Sequence, residues 1–161
     1  LIQGADASTF NWRGSMTRGD LILILYRSAG SPAVSGGSLP FTDVSESDYA
    51  YDAVVWAWKN GVAGGVSETE FCMKQAVTRE QLAAILYRYA KLKGYDTSKS
   101  NKLDSFKDAD KVSSWAVEAM QWANAEGLIN GKNNSMLDPQ GKATRAETAA
   151  ILMRFMQNIA K

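Results

Sequence analysis

The chain contains no histidine. That absence removes Ser-His-Asp and Cys-His nucleophilic chemistry and the commonest metal ligand. There is a single cysteine, Cys72, so no intrachain disulfide can form. Neither sign of charge predominates: 18 Lys and Arg stand against 17 Asp and Glu, well mixed along the chain. The basic stripe that tracks nucleic-acid phosphates is missing. Uninterrupted apolar runs stop at six residues, as at 21–26, far short of a bilayer span. Leu1-Ile2-Gln3-Gly4 lacks the basic region and long apolar stretch of a signal peptide. No nucleic-acid partner, membrane insertion, metal or cofactor is therefore expected. What remains is an ordinary globular composition, and 161 residues are enough for one sizeable core.

Against these absences stands repetition. Thr17-Arg18-Gly19-Asp20, Thr78-Arg79-Glu80-Gln81 and Thr144-Arg145-Ala146-Glu147 each open an apolar helical run that closes on Leu-Tyr-Arg or Leu-Met-Arg. Arg18 to Arg79 and Arg27 to Arg88 are both 61 residues; Arg79 to Arg145 and Arg88 to Arg154 are both 66. The larger offset also carries Tyr49 to Trp115, Trp56 to Trp122 and Gly65 to Gly131, and the smaller carries Gly4 to Gly65 and Phe10 to Phe71. Self-similarity of this kind decides architecture before any single residue does.

A full repeat reads as a Phe-x-Asp element (Phe41 to Asp43; Phe106 to Asp108), then an aromatic–Ala helix at 49–60 or 115–126. A Gly-rich turn at 61–65 or 127–131 and a short extended loop follow. The Thr-Arg helix at 78–93 or 144–159 closes the unit. Residues 1–30 are the latter part of unit one, 41–97 unit two and 106–161 unit three, with linkers at 31–40 and 98–105. Leu1 aligns with Val62, so unit one lacks its opening helix in this chain, and the precursor's start is expected to lie upstream.

Ala53, Trp56 and Ala57, with Ala119, Trp122 and Ala123, fall at helical spacing and predict core faces. Tyr49 and Trp115 open the same helices; core and groove wall both remain open for them. Trp12 has no aromatic counterpart and is either exposed or a local plug. Cys72 corresponds to Asn11 and Asp138, a tolerance that argues for a structural role. Thr17, Thr78 and Thr144 read as N-caps, with Asp20, Gln81 and Glu147 three residues on completing a capping box.

Arg18, Arg79 and Arg145 are the odd members. Each stands at the positive end of a helix dipole, where a cation is disfavoured. Two explanations compete. Each arginine pairs with an internal carboxylate such as Asp43 or Asp108, or each joins free helix amides to bind an external anion. Arg27, Arg88 and Arg154, nine residues on, read as helix-end and packing residues. Asp43, Glu46, Asp48, Glu68 and Glu70 read as solvated turn acids, so no catalytic pair is expected.

At these residues the chain resembles S-layer homology domains. The pattern is carried by Phe41-Thr42-Asp43-Val44, Trp115-Ala116, Gly127-Leu128-Ile129-Asn130-Gly131, Leu137-Asp138-Pro139 and Thr144-Arg145-Ala146-Glu147. The resemblance implies an all-α fold of tandem repeats around a pseudo-threefold helical bundle with projecting prongs. It implies non-covalent anchoring of an exported protein to the bacterial cell wall, through secondary cell-wall polysaccharide that often carries a pyruvate ketal. The ketal carboxylate would meet Arg18, Arg79 and Arg145. Asp43, Asp108, Gly65 and Gly131 match the family's remaining positions, the glycines letting backbone approach a sugar. Departures are Gly19 and Asp20 for Ala and Glu in unit one, and Met73 and Gln81 for Pro and Glu in unit two. A competing function is a protein–protein or self-assembly module, its incomplete first repeat completed by another polypeptide.

Overall fold

The computed structural model describes residues 12–35 and 38–161. The readings at Leu1, Gly4, Phe10 and Asn11 lie outside the described residues. Five α-helices follow in order: α1 (Arg18–Ser28), α2 (Tyr51–Lys59), α3 (Arg79–Lys93), α4 (Val117–Ala125) and α5 (Arg145–Asn158). Among the described residues there is no strand, only isolated bridges, so the fold is all-α.

The Thr-Arg helices begin where their threonines place them. Thr17, Thr78 and Thr144 are extended, and their hydroxyls accept the amides of Asp20 (3.1 Å), Gln81 (3.2 Å) and Glu147 (3.0 Å). Only α3 completes the capping box, with Gln81 accepting the Thr78 amide at 3.0 Å. The aromatic–Ala helices have no side-chain cap and are shorter than the spacing predicts. Tyr49 lies two residues before α2, and Trp115 sits in a 3-10 turn (Ser114–Ala116) ahead of α4. Both helices end at a glycine with positive φ, Gly61 (68°) and Gly127 (74°), after which Val62 and Leu128 donate back to Ala57 and Ala123.

The segments before the three threonines meet in a closed ring. The Met16 amide donates to Ala143 O (3.0 Å), the Ala143 amide to Val77 O (3.0 Å), and the Val77 amide to Met16 O (2.8 Å). All three residues are fully buried and occupy equivalent positions in the sequence repeats. The same rotation fills the first two amides of each Thr-Arg helix. Arg18 and Gly19 donate to Gln75 O and Met73 O, Arg79 and Glu80 to Gly141 O and Pro139 O, and Arg145 and Ala146 to Gly14 O and Trp12 O. These are donors that a helix leaves unpaired. Here each set is taken by a loop belonging to another repeat.

Aromatic contacts join all five helices. Tyr26 of α1 meets Trp56 of α2 (5.6 Å between ring centroids), and Trp56 meets Tyr89 of α3 (6.2 Å). Tyr89 meets Phe155 of α5 (6.0 Å), which meets Trp122 of α4 (6.5 Å). Trp56 and Trp122 are core, as their spacing predicts. Each such large apolar side chain contributes about 1.5–3 kcal/mol on burial.

Candidate functional site

The arginines point inward and across repeats. Arg18 is 4% exposed and Arg79 7%. Arg18 Nε donates to Phe71 O (3.0 Å) and Nη2 to Gly64 O (2.7 Å), with the guanidinium 4.9 Å from the centre of the Phe71 ring. Arg79 repeats the first bond, Nε to Leu137 O at 2.8 Å, and pairs with Glu147 at 3.0 Å. Arg145 pairs with Asp20 at 3.3 Å. Burial pulls the Arg18 guanidinium below its ordinary pKa, while nearby Cys72 and Asp43 push the other way.

Neither sequence reading of these arginines survives whole. The helix amides expected to join them are already spent on neighbouring carbonyls, so helix dipole and free N–H groups do not form an open anion site. The carboxylates that pair with Arg79 and Arg145 are the third residues of the helices, Glu147 and Asp20, rather than Asp108 and Asp43.

Asp43 and Asp108 hold loops instead. Asp43 accepts the amides of Phe71 (2.9 Å) and Cys72 (2.8 Å); Asp108 accepts those of Leu137 (2.7 Å) and Asp138 (2.8 Å). Burial opposes charge on both carboxyls, but the paired amides outweigh it and hold both below the usual aspartate range. Each Asp thus grips the amide of the very residue, Phe71 or Leu137, whose carbonyl receives an arginine. Cys72 and Asp138 stand in the left-handed region (φ 58° and 51°), a conformation that aspartate tolerates better than most residues.

The glycines serve packing. A Cβ on Gly65 would lie 2.6 Å from the Phe41 ring and 2.4 Å from Ser67 O; one on Gly131 would lie 2.6 Å from the Phe106 ring. The bare backbone is what lets each Phe-x-Asp ring seat on its own turn.

Tyr49 and Trp115 are both surface residues, 54% and 53% exposed. Tyr49 donates to Asp20 at 2.8 Å; burial of its hydroxyl, together with this bond, pushes its pKa up to about 12. Trp12 is exposed, with Arg13 4.4 Å from its ring centre.

A groove of about 370 Å³ brings three of the sequence candidates together. Arg18 lies in it, Gly64 and Gly65 form one side, Gln81 and Arg88 come from α3, and Trp115 stands on the rim. Trp115 is held there by buried Glu80, which accepts the amide (3.0 Å) and hydroxyl (2.6 Å) of Ser113 just before the turn. The structure does not bring Tyr49, Arg79, Arg145, Asp108 or Gly131 into this groove. Sequence reasoning missed Gln81 and Arg88 as groove residues, and Glu80 as the support beneath Trp115. Arg88 is exposed and mid-helix, because α3 runs on to Lys93 before stopping at Gly94 (φ 74°). Arg154 likewise falls short of the last turn of α5, whereas Arg27 does lie in the last turn of α1.

Comparison with known proteins gives the same pattern from outside. The S-layer homology domain family matches residues 40–83 and 105–149. The chain is similar to the Surface-layer 125 kDa protein of Lysinibacillus sphaericus, 32% identical over 164 residues covering 99% of this chain and 13% of that protein. It is 28% identical over 160 residues to an endoglucanase of Bacillus sp. (strain KSM-635), covering 99% of this chain and 17% of the relative. It is 23% identical over 160 residues to a Cellulosome-anchoring protein of Acetivibrio thermocellus, covering 98% of this chain and 35% of the relative. The chain thus spans little more than a third of these proteins at most.

Proposed function

This chain belongs to the S-layer homology domain family, and from that premise we propose that it anchors an exported protein to the bacterial cell wall by binding an acidic, pyruvylated secondary cell-wall polysaccharide. Its relatives include a surface-layer protein and a protein named for cellulosome anchoring, which supports a place at the cell surface. The role is binding rather than turnover. The endoglucanase relative shares this stretch over only 17% of its length, which leaves its chemistry to the remainder.

The observation that carries the reading is the groove in which Arg18, Gly65 and Trp115 converge from three sequence repeats. An exposed indole offers an apolar face to a sugar ring, and guanidinium groups suit a carboxylate. The arrangement of units 1–30, 41–97 and 106–161 about a pseudo-threefold axis, with loops as prongs, is supported by the Met16–Val77–Ala143 ring.

The test is co-sedimentation with wall sacculi. The chain should pellet with intact sacculi and stay in solution when the polysaccharide or its ketal has been removed. Trp115→Ala should weaken sedimentation about tenfold, the scale of an aromatic anchor, with an unchanged melting temperature. Equal pelleting of stripped and intact sacculi would refute the reading.

A further inference from the structure

Asparagine followed by glycine occurs twice, at Asn60-Gly61 and Asn130-Gly131, and asparagine followed by serine once, at Asn134-Ser135. Such pairs carry a reaction of their own. The backbone nitrogen of the second residue can attack the side-chain carbonyl carbon of the asparagine. A following glycine, having no Cβ, hinders that approach least. A folded chain permits the attack only where the nitrogen is unengaged and the asparagine amide is free to turn.

The three pairs differ in these two groups. The Gly61 amide donates to Trp58 O (3.3 Å), and Asn60 Nδ2 donates to Trp56 O (2.8 Å) at the end of α2. The Ser135 amide donates to Lys132 O (3.0 Å), inside a turn closed by the Lys132 amide on Met136 O (2.7 Å). The Gly131 amide has no acceptor among the described residues. Asn130 is exposed, and its Nδ2 reaches only Gly127 O, at 3.2 Å. Glycine is required at 131 by its positive φ (86°) and by the Phe106 ring, so the reactive pair is built into the turn.

We propose that Asn130 is a site of spontaneous deamidation that ages the third repeat. Gly131 N bonds to Asn130 Cγ, the Cγ–Nδ2 bond breaks, and ammonia leaves with the proton that the Gly131 amide gives up. A cyclic imide remains. Water opens it at either carbonyl, giving aspartate or, with the chain rerouted through the side chain, isoaspartate. No oxidant or reductant takes part. The isoaspartate lengthens the main chain by an atom immediately before Gly131. That glycine has no slack: an added carbon on it would lie 2.6 Å from the Phe106 ring and 3.2 Å from Met136 O. Phe106 begins the element whose Asp108 grips the Leu137 and Asp138 amides, and Leu137 O in turn receives Arg79. The lengthened turn therefore unseats a loop on which two repeats depend. This inference is independent of the anchoring reading.

The test incubates the folded chain in mildly alkaline buffer made with heavy-oxygen water and follows Asn60, Asn130 and Asn134 by peptide mass spectrometry. Asn130 should convert about five- to tenfold faster than Asn60, the factor set by the additional hydrogen bond that Asn60-Gly61 must break. In urea both glycine pairs lose their partners, and the two rates should converge. Equal or slower conversion at Asn130 in the folded chain, no conversion at all, or a difference that persists in urea overturns the proposal. Incubated wild-type chain should also melt below fresh protein, in step with its isoaspartate fraction. Asn130→Gln, whose longer side chain disfavours the ring, should keep its melting temperature through the same incubation. Isoaspartate-bearing chain that melts like fresh protein overturns the ageing of the repeat.

Discussion

Asp108 does for a loop what Thr144 does for a helix: it fills backbone donors that would otherwise be buried unpaired. Replacing it with asparagine leaves one oxygen for two amides, Leu137 and Asp138. Asp108→Asn should lower stability by about 1–3 kcal/mol, read from urea unfolding at neutral pH. The sign with pH follows from the depressed carboxyl. Its contribution is complete above the ordinary aspartate value of 3.8 and is lost as pH falls through the still lower folded value. The gap between wild type and variant should therefore narrow below that value; a gap independent of pH would show that the charge is not what acts. The threonine caps and buried tryptophans were legible in the sequence because each rests on local spacing. The partners of Arg18 and Arg79 were not. Phe71 O and Leu137 O lie more than fifty residues away along the chain, and no local pattern records a carbonyl's direction.

Helices α1, α3 and α5 start under the same threonine but share out their third residues differently. Gln81 closes a full capping box, while Asp20 and Glu147 turn away toward another repeat's arginine. Thr78→Ala should cost about 1 kcal/mol and lower the melting temperature by about 2–4 °C, followed by circular dichroism. An unchanged melt would mean that the loop carbonyls of Pro139 and Gly141 alone fix the start of α3. Glycine signals placed the ends of α2 and α4 well, since Gly61 and Gly127 both take positive φ. The starts of those helices were read too early. Tyr49 and Trp115 have helical spacing to the residues that follow, but α2 and α4 lack side-chain caps, and spacing alone does not tell a 3-10 turn from an α-helix.

Across the molecule, the aromatic contacts from Tyr26 to Trp122 and the rotating hydrogen bonds tie every helix to others distant in sequence. No repeat satisfies the first two amides of its own Thr-Arg helix. Unfolding should therefore be a single event, with calorimetric and van't Hoff enthalpies equal. Two resolved transitions would show that the repeats fold separately. The existence of repeats was plain from the two offsets, but their closure was not. The Met16, Val77 and Ala143 segments carry at most a weak strand signal, at Val77, and they join the ring through one donated and one accepted bond each. Nor does the sequence pattern announce that one groove holds two arginines and another three acids, because each groove draws residues from separate repeats.

The triangle of Met16, Val77 and Ala143 has a consequence for how such a chain can lengthen. In an open stack, gene duplication can add one more copy at either end, since the terminal copy always offers a bare face. Here each member gives one bond and takes one, and the third returns to the first. A fourth copy would find no vacancy and would have to displace a member, so growth by single copies is barred and a longer anchor must come as another complete triplet.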